Sequence, residues 1–210
     1  LIIHGTTLAT NAIIEQKGAR VAMLTTEGFR DVLELGTESR FDQYDLNLVK
    51  PEPLVARHLR FTIRERLAAD GSELLPLDLA YIKSFAQQLK EHEIESVAIC
   101  FLHSFVNSRH EQDAADELRK YLPDIYISLS SQVAPEIREY DRFSTTVANA
   151  YVQPLIDSYL KRLSEQLLQA GFTCPLYMFL SNGGLAEVNV AREFPIRLVE
   201  SGPAGGAVFA

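Results

Sequence analysis

Long apolar runs are missing from this 210-residue chain. None approaches the ~20 residues needed to cross a bilayer, and no charged-then-apolar segment opens the chain as a secretory signal would. Cysteine is scarce: Cys100 and Cys174 are the only two, too few for a disulfide framework or a cysteine-based metal site. A reducing cytoplasm is therefore the expected compartment. Basic charge is also short. Twenty Lys+Arg against 28 Asp+Glu give a net charge of -8, the wrong sign for a general nucleic-acid binder, which needs a basic face. No His/Cys/Asp cluster has metal-ligand spacing, so no metal site is expected from the residues. A Gly-x-Ser-x-Gly nucleophile elbow is absent. No lysine follows the glycine pairs, which excludes a Walker A loop. Internal repeats and low-complexity linkers are absent too.

What is present is an ordinary globular balance, 47% hydrophobic and 23% charged, in a length that suits one full domain or two small ones. Apolar runs predict strands at residues 1–3, 20–25, 97–102, 125–129, 176–180 and 196–199, and Cys100 reads as buried within its run. Residues 58–66 alternate apolar Leu59, Phe61 and Ile63 with Arg60, Thr62 and Arg64, the period-2 pattern of a half-buried strand. Helices are expected over Thr7–Gln16 with Gly18 as C-cap, Phe29–Leu35, a stretch capped by Asp78 and reaching His92, and Ser108–Tyr121. A long helical region is expected from Pro135 to Gly171. After Pro154 it carries Ile156, Leu160, Leu163 and Leu167 as one apolar stripe. Residues 36–57, with Pro51 and Pro53, read as loop, and Asp70-Gly71 as a turn. Strand and helix alternation predicts an α/β architecture with some parallel strands. A boundary near 145–150 falls inside a helical region and reads as a hinge between packed lobes. The apolar ends, Leu1-Ile2-Ile3 and Ala207-Val208-Phe209-Ala210, are expected to be interior to a longer chain.

Four segments carry candidate chemistry. Leu198-Val199 runs into Glu200-Ser201-Gly202-Pro203-Ala204-Gly205-Gly206, a small-residue turn before a helix. Such a turn lets backbone approach a phosphate at a helix start, or simply lets a helix cross a sheet closely. Ser181-Asn182-Gly183-Gly184 follows another apolar run and reads either as a second ligand-facing turn or as a plain connection. Together, Ser181–Gly184 and Ser201–Gly206 are expected to line one cleft. His4-Gly5-Thr6-Thr7 opens a helix containing Asn11, and its hydroxyls either cap that helix or face a polar substrate. Glu136, Arg138, Glu139 and Arg142 form either a paired, solvated helix face or a charged face toward a cleft or partner subunit.

The string HGTTLATNAIIEQKGARVAMLTTEGFRDVLELG, followed by SLSSQVAPEIREYDRFSTTVANAYVQP, SNGGL and SGPAGG, resembles the hydantoinase A / 5-oxoprolinase family over nearly the whole chain. The resemblance implies a partial actin-like (ribonuclease H-like) ATPase fold, holding most of the N-terminal lobe and the start of the second segment. It implies an N-terminal region over 1–148 and the start of the hydantoinase A domain over 149–210. The activity implied is ATP-dependent opening of a cyclic amide of the hydantoin or 5-oxoproline type, through phosphorylation of the amide oxygen. An acetone- or acetophenone-type carboxylase subunit and a non-catalytic scaffold are the alternatives. ATP and Mg²⁺ are the implied cofactors, with a hydantoinase B-type subunit or domain as partner. Asn182, Gly183, Gly184, Ser201, Gly202, Pro203, Gly205 and Gly206 are implied to face the nucleotide phosphates. His4, Gly5, Thr6, Thr7 and Asn11 are assigned to the substrate side, and no catalytic residue is assigned. The family's two Asp-x-Gly-Gly-Thr phosphate loops are expected before Leu1 and after Ala210, so the chain alone is expected to be inactive.

Overall fold

The computed structural model of the chain describes residues 1–37, 44, 47 and 51–209. In chain order the elements are β1 (Ile2–His4), α1 (Leu8–Ile14), β2 (Val21–Thr26), α2 (Val32–Leu35), β3 (Arg60–Ile63), β4 (Arg66–Leu67), β5 (Glu73–Leu75), α3 (Leu79–Glu91), β6 (Ser96–Cys100), α4 (Arg109–Tyr121), β7 (Tyr126–Leu129), α5 (Ser130–Val133), α6 (Glu139–Gln169), β8 (Leu176–Phe179), β9 (Leu185–Glu187), α7 (Val188–Glu193) and α8 (Ser201–Phe209). Turns of 3-10 helix lie at Arg57–Leu59 and Pro195–Leu198. Part of the loop expected over 36–57, and the side chains of the last four residues, lie outside the described residues. Among the described residues no helix is long and apolar enough to cross a membrane. The chain is α/β, in two compact units that do not follow chain order: Arg20–Val147, and Leu1–Ala19 together with Ala148–Ala210.

In the unit Arg20–Val147 a four-stranded sheet runs in the order β3-β2-β6-β7, with every neighbouring pair parallel. All six residues of β2 are buried, as expected of a central parallel strand covered on both faces. Its Ala22 and Leu24 join Val97, Ile99 and Phe101 in one core. Helix α3 adds Ile82, Phe85, Ala86 and Leu89, and α4 adds Ala114, Ala115 and Leu118. Those spacings of three and four put each set on one helix face. Each large side chain so buried contributes roughly 1.5–3 kcal/mol.

Three expectations change here. The run 58–66 is divided: Arg57–Leu59 is a 3-10 turn, Arg60–Ile63 pairs with β2, and Arg66–Leu67 pairs separately with β5. Arg60, placed outside by the alternation, is only 1% exposed. Its Nε donates to the Val55 carbonyl and its Nη2 to Glu34, which lets an ionised group sit inside. Asp78 precedes α3 but makes no side-chain cap bond.

Side chains of this unit occupy the carboxyl ends of its strands. Thr26 donates to Glu65, and His110 bridges Glu65 at 2.8 Å and Glu73 at 3.0 Å. The buried Glu111 accepts Phe101 N at 2.9 Å, Ser130 Oγ at 2.6 Å and Ser131 N at 2.9 Å. Burial pushes its carboxyl above the usual range, against the pull of those bonds. Burial also pushes the Cys100 thiol well up, which makes it an inert core residue.

In the other unit β1 pairs parallel with β8, and β8 pairs antiparallel with β9. Helix α6 begins at Glu139 and not at Pro135, because Arg138 has φ +84 and breaks the helical path directly before it. The helix passes through Pro154 and ends at Gln169. Ile156 and Leu160 of its stripe are buried, and Leu163 and Leu167 are half-buried. Gly171, at φ +87, closes it, with Phe172 N donating to Leu167 O. Helix α1 is closed by Gln16 at φ 54, where Gly18 was expected to act. Residues 196–199, expected as a strand, belong instead to the 3-10 turn and the bend after it. Ile196 N donates to Asn149 Oδ1, so a side chain takes the bond that a strand neighbour would have taken. A four-residue apolar run cannot signal that difference by its period.

Candidate functional site

A cleft of about 540 Å³ lies within the unit Leu1–Ala19 plus Ala148–Ala210, lined by Ile3, Gly5, Thr6, Thr7, Phe179, Ser201, Gly202, Gly205 and Gly206. Parallel pairing explains its position. Strands β1 and β8 run the same way, with His4 opposite Met178. Gly5–Thr7 and Phe179 therefore emerge together at their carboxyl ends, the edge where α/β sheets hold ligands.

The loop Gly5–Thr7 and the start of α8 are tied to each other. Ser201 Oγ donates to Thr6 O at 3.1 Å. Glu200 N donates to Thr10 Oγ1 at 3.0 Å. Glu200 takes φ 63, a left-handed conformation that costs a non-glycine residue energy and is held here by its surroundings. Gly202 is packed so closely that a Cβ would stand 3.1 Å from Thr7 Cγ2, whereas a Cβ on Gly206 would meet nothing within 4 Å. The lining residues thus bring a hydroxyl loop against the start of α8, with open space one turn further on at Gly206.

The hydroxyls have distinct roles. Thr6 Oγ1 accepts Leu8 N at 3.2 Å, and Thr7 Oγ1 accepts Asn11 Nδ2 at 3.4 Å. Their own O–H groups remain available to donate. The Ser201 hydroxyl, by contrast, is used on Thr6 O. Ser201 and Gly202 also carry N–H groups of the first helical turn, which have no partner within the helix. Pro203 has none to give, and Ala204 N is taken by Glu200 O. Among the described residues no charged side chain lines the cleft. Such a surface of neutral donors at a helix start suits one face of a phosphate. It does not suit a metal: among the described residues no group of three or more His, Cys, Asp or Glu could hold one.

Sequence reasoning placed Gly5, Thr6 and Thr7 on one side and Ser201, Gly202, Gly205 and Gly206 on another; the structure gathers all seven in one cleft. The segment 201–206 is not a turn after a strand. It is the beginning of α8, and the turn lies at Val199-Glu200. Pro203 is exposed and does not line the cleft. His4 and Asn11 sit beside the cleft without lining it. His4 Nε2 lies 2.6 Å from Tyr159 Oη, and burial holds its imidazole below the usual pKa. Asn182, Gly183 and Gly184 are also outside the lining. They form the hairpin turn between β8 and β9, with Gly183 at φ +83 and Gly183 N donating to Leu180 O. Residues 180–184 connect the two strands, and the left-handed position at Gly183 needs glycine.

The remaining segment belongs to the other unit. Arg138 and Glu139 line a separate cleft of about 300 Å³ with Phe29, Val32, Leu35 and Tyr140 among others. Glu136 lies before α6, and its carbonyl accepts Arg142 Nη1 at 2.7 Å. Arg142 is fully buried and so presents no face to a cleft or a partner. Its other donors reach Phe101 O and Ser130 Oγ, and its guanidinium stacks on Phe105 and Phe143. Two residues beside the first cleft were missed by sequence reasoning. Phe179 ends a strand that gave only an apolar signal, and Tyr159 looked like one more helical aromatic.

Residues 1–122 match the hydantoinase/oxoprolinase N-terminal region, and residues 142–210 match the hydantoinase/oxoprolinase model that follows. The caprolactamase α subunit of Pseudomonas jessenii is 42% identical over 97% of this chain and 30% of its own length. The 5-oxoprolinase of Dictyostelium discoideum is 32% identical over 97% of this chain and 18% of its own. The crystal structure of the ATP-dependent caprolactamase from Pseudomonas jessenii superposes with a TM-score of 0.90, covering 97% of this chain and 30% of that one. Nucleotide-free acetone carboxylase shares the fold, with a TM-score of 0.87 at 24% identity over 98% of this chain and 30% of that one. The chain thus spans less than a third of the length of each of these relatives.

Proposed function

The chain belongs to the hydantoinase/oxoprolinase family, and on that premise we propose that it is part of an ATP-dependent hydrolase subunit that opens a cyclic amide. The observation that carries the reading is the cleft at the carboxyl ends of β1 and β8, where a Thr-Thr loop faces a helix start. ATP, when bound, supplies a phosphoryl group for the amide oxygen, removing the resonance that protects the C–N bond from water. In this chain, Ser201 and Gly202 N–H would hold phosphate oxygens, with the Thr6 and Thr7 hydroxyls donating from the facing side. Gly206, with open space where a side chain would be, leaves room for the backbone to be approached. These donors are neutral, so they orient phosphate more than they neutralise it. The charge that phosphoryl transfer develops would be met by Mg²⁺ and by groups other than these residues.

The fold we assign is the actin-like ATPase fold, with residues 1–148 as its N-terminal region and 149–210 as the start of the next domain. A hydantoinase B-type companion would complete the reaction, in the cytoplasm. Sequence identity favours the amide reading over ketone carboxylation: the caprolactamase and 5-oxoprolinase matches, at 42% and 32%, exceed the acetophenone carboxylase γ subunit match at 28%. The test is Gly202→Val in the protein with its companion, assayed for ATP turnover over a panel of cyclic amides and ketones. Valine branches into the space beside Thr7, and turnover is expected to fall at least tenfold. Unchanged kinetics would remove this cleft from the nucleotide site.

A further inference from the structure

We propose that Tyr159 is a positioning residue for this cleft: through its hydroxyl on His4 it holds the Gly5–Thr7 loop where the Thr6 and Thr7 hydroxyls meet a phosphate. The inference rests on the reading of the cleft given above.

The loop's anchors lie mostly on the side of α1 and α8, where Thr7 bonds Asn11 and Thr6 bonds Leu8 and Ser201. Strand β1 is only three residues long and ends at His4. Gly5, the next residue, has no side chain with which to fix the chain. On the far side Thr6 is held by Leu8 N and by Ser201 Oγ. On the near side the side-chain tie is His4 Nε2 to Tyr159 Oη at 2.6 Å, with ring centroids 5.9 Å apart. Burial favours the neutral imidazole, in which Nε2 and Tyr159 Oη share one hydrogen bond. The bond is therefore directional and fixes both rings.

Tyr159 in turn stands on a firm base. Its neighbours on α6, Ile156 and Leu160, are fully buried. Asp157, on the same helical turn, is held by Lys161 at 2.7 Å and Arg192 at 2.6 Å. A group carried on a packed helix places its target more exactly than a loop can place itself. Tyr159 touches neither phosphate nor amide in this scheme, and it acts only through His4.

The experiment compares Tyr159→Phe, His4→Ala and the double variant in the whole protein. Mg-ATP affinity is measured by calorimetry, and KM for ATP and kcat by phosphate release. Tyr159→Phe removes one oxygen and keeps the ring. It is expected to raise the dissociation constant and KM for ATP on the order of tenfold, with kcat at saturating ATP changed much less and the melting temperature close to the parent's. The double variant is expected to be no worse than His4→Ala alone, because the tyrosine has nothing left to act through. Parent-like affinity in Tyr159→Phe overturns the proposal. So do effects that multiply in the double variant, and so does a loss of binding that merely tracks unfolding. Gly202→Val separates the two levels. If it abolishes binding while Tyr159→Phe is silent, the positioning role falls alone; if Gly202→Val is also silent, the reading of the cleft falls with it.

Discussion

Replacing Gly18 by alanine tests the packing of the unit that carries the cleft. A Cβ there would stand 2.6 Å from Cζ of Tyr151 and nearer still to Cε1 and Cδ1. Carbon atoms rest at about 3.5–4.0 Å, so the overlap at Cζ alone is about 1 Å. The ring cannot swing aside freely, because Tyr151 is only 7% exposed. Nor can the backbones part without loss, because Ala19 N donates to Tyr151 O at 2.8 Å. Overpacking of this kind costs roughly 1–3 kcal/mol. Gly18 is not among the glycines with positive φ, so alanine also stiffens the unfolded chain at no backbone strain, offsetting about 0.4–1 kcal/mol. The net expectation is a destabilisation of about 1–2 kcal/mol, or a urea midpoint lowered by about 0.5–1 M for a slope near 2 kcal/mol per M. Gly206→Ala is the control. Its Cβ meets nothing within 4 Å on a helix, so the same substitution should stabilise by roughly 0.5–1 kcal/mol. Tyr151→Leu should absorb part of the Gly18→Ala loss. A Gly18→Ala protein with an unchanged or higher midpoint would refute the close-packing argument.

Two further outcomes are expected. Arg142→Ala strips donors from Glu136 O, Phe101 O and Ser130 Oγ inside the core and should cost about 3–5 kcal/mol in denaturant titrations; a loss below about 1 kcal/mol would contradict its structural role. His4, with its pKa lowered by burial, binds its proton less readily folded than unfolded. Its contribution to stability is therefore full above the unfolded value near 6.5 and is lost as pH falls through the lower folded value. His4→Gln should flatten the stability–pH curve just below pH 6.5, and an unaltered slope would show that the histidine does not titrate as argued.

Much of the fold could be read because its signals are local. The runs at 20–25, 97–102, 125–129 and 176–180 became β2, β6, β7 and β8 within a residue or two at each end, since a continuous apolar run between turn residues has few other uses in a parallel sheet. Helices α3 and α4 formed within a residue of the stretches expected after Asp78 to His92 and over Ser108–Tyr121. The failures share a cause. Arg60 and Arg142 look like surface charges, and only distant acceptors such as Glu34 and Phe101 O make burial tolerable. Gly18 looks like a helix cap, and only the ring of Tyr151, over a hundred positions away, shows why a side chain is excluded.

The candidate site divides in the same way. Sequence alone determined the chemistry on offer, threonine hydroxyls and small residues, because residue identity fixes which groups can donate. Tertiary structure decided which of these meet. Parallel pairing of β1 with β8 carries Gly5–Thr7 to the edge where Phe179 emerges, and Ser201 closes on Thr6 across 195 positions. The same packing leaves the Asn182–Gly184 hairpin outside the lining and sends Arg142 into the core. Periodicity and turn propensity report only neighbours along the chain. Proximity between strands is set by sheet register and by burial, and those exist only once the chain has folded.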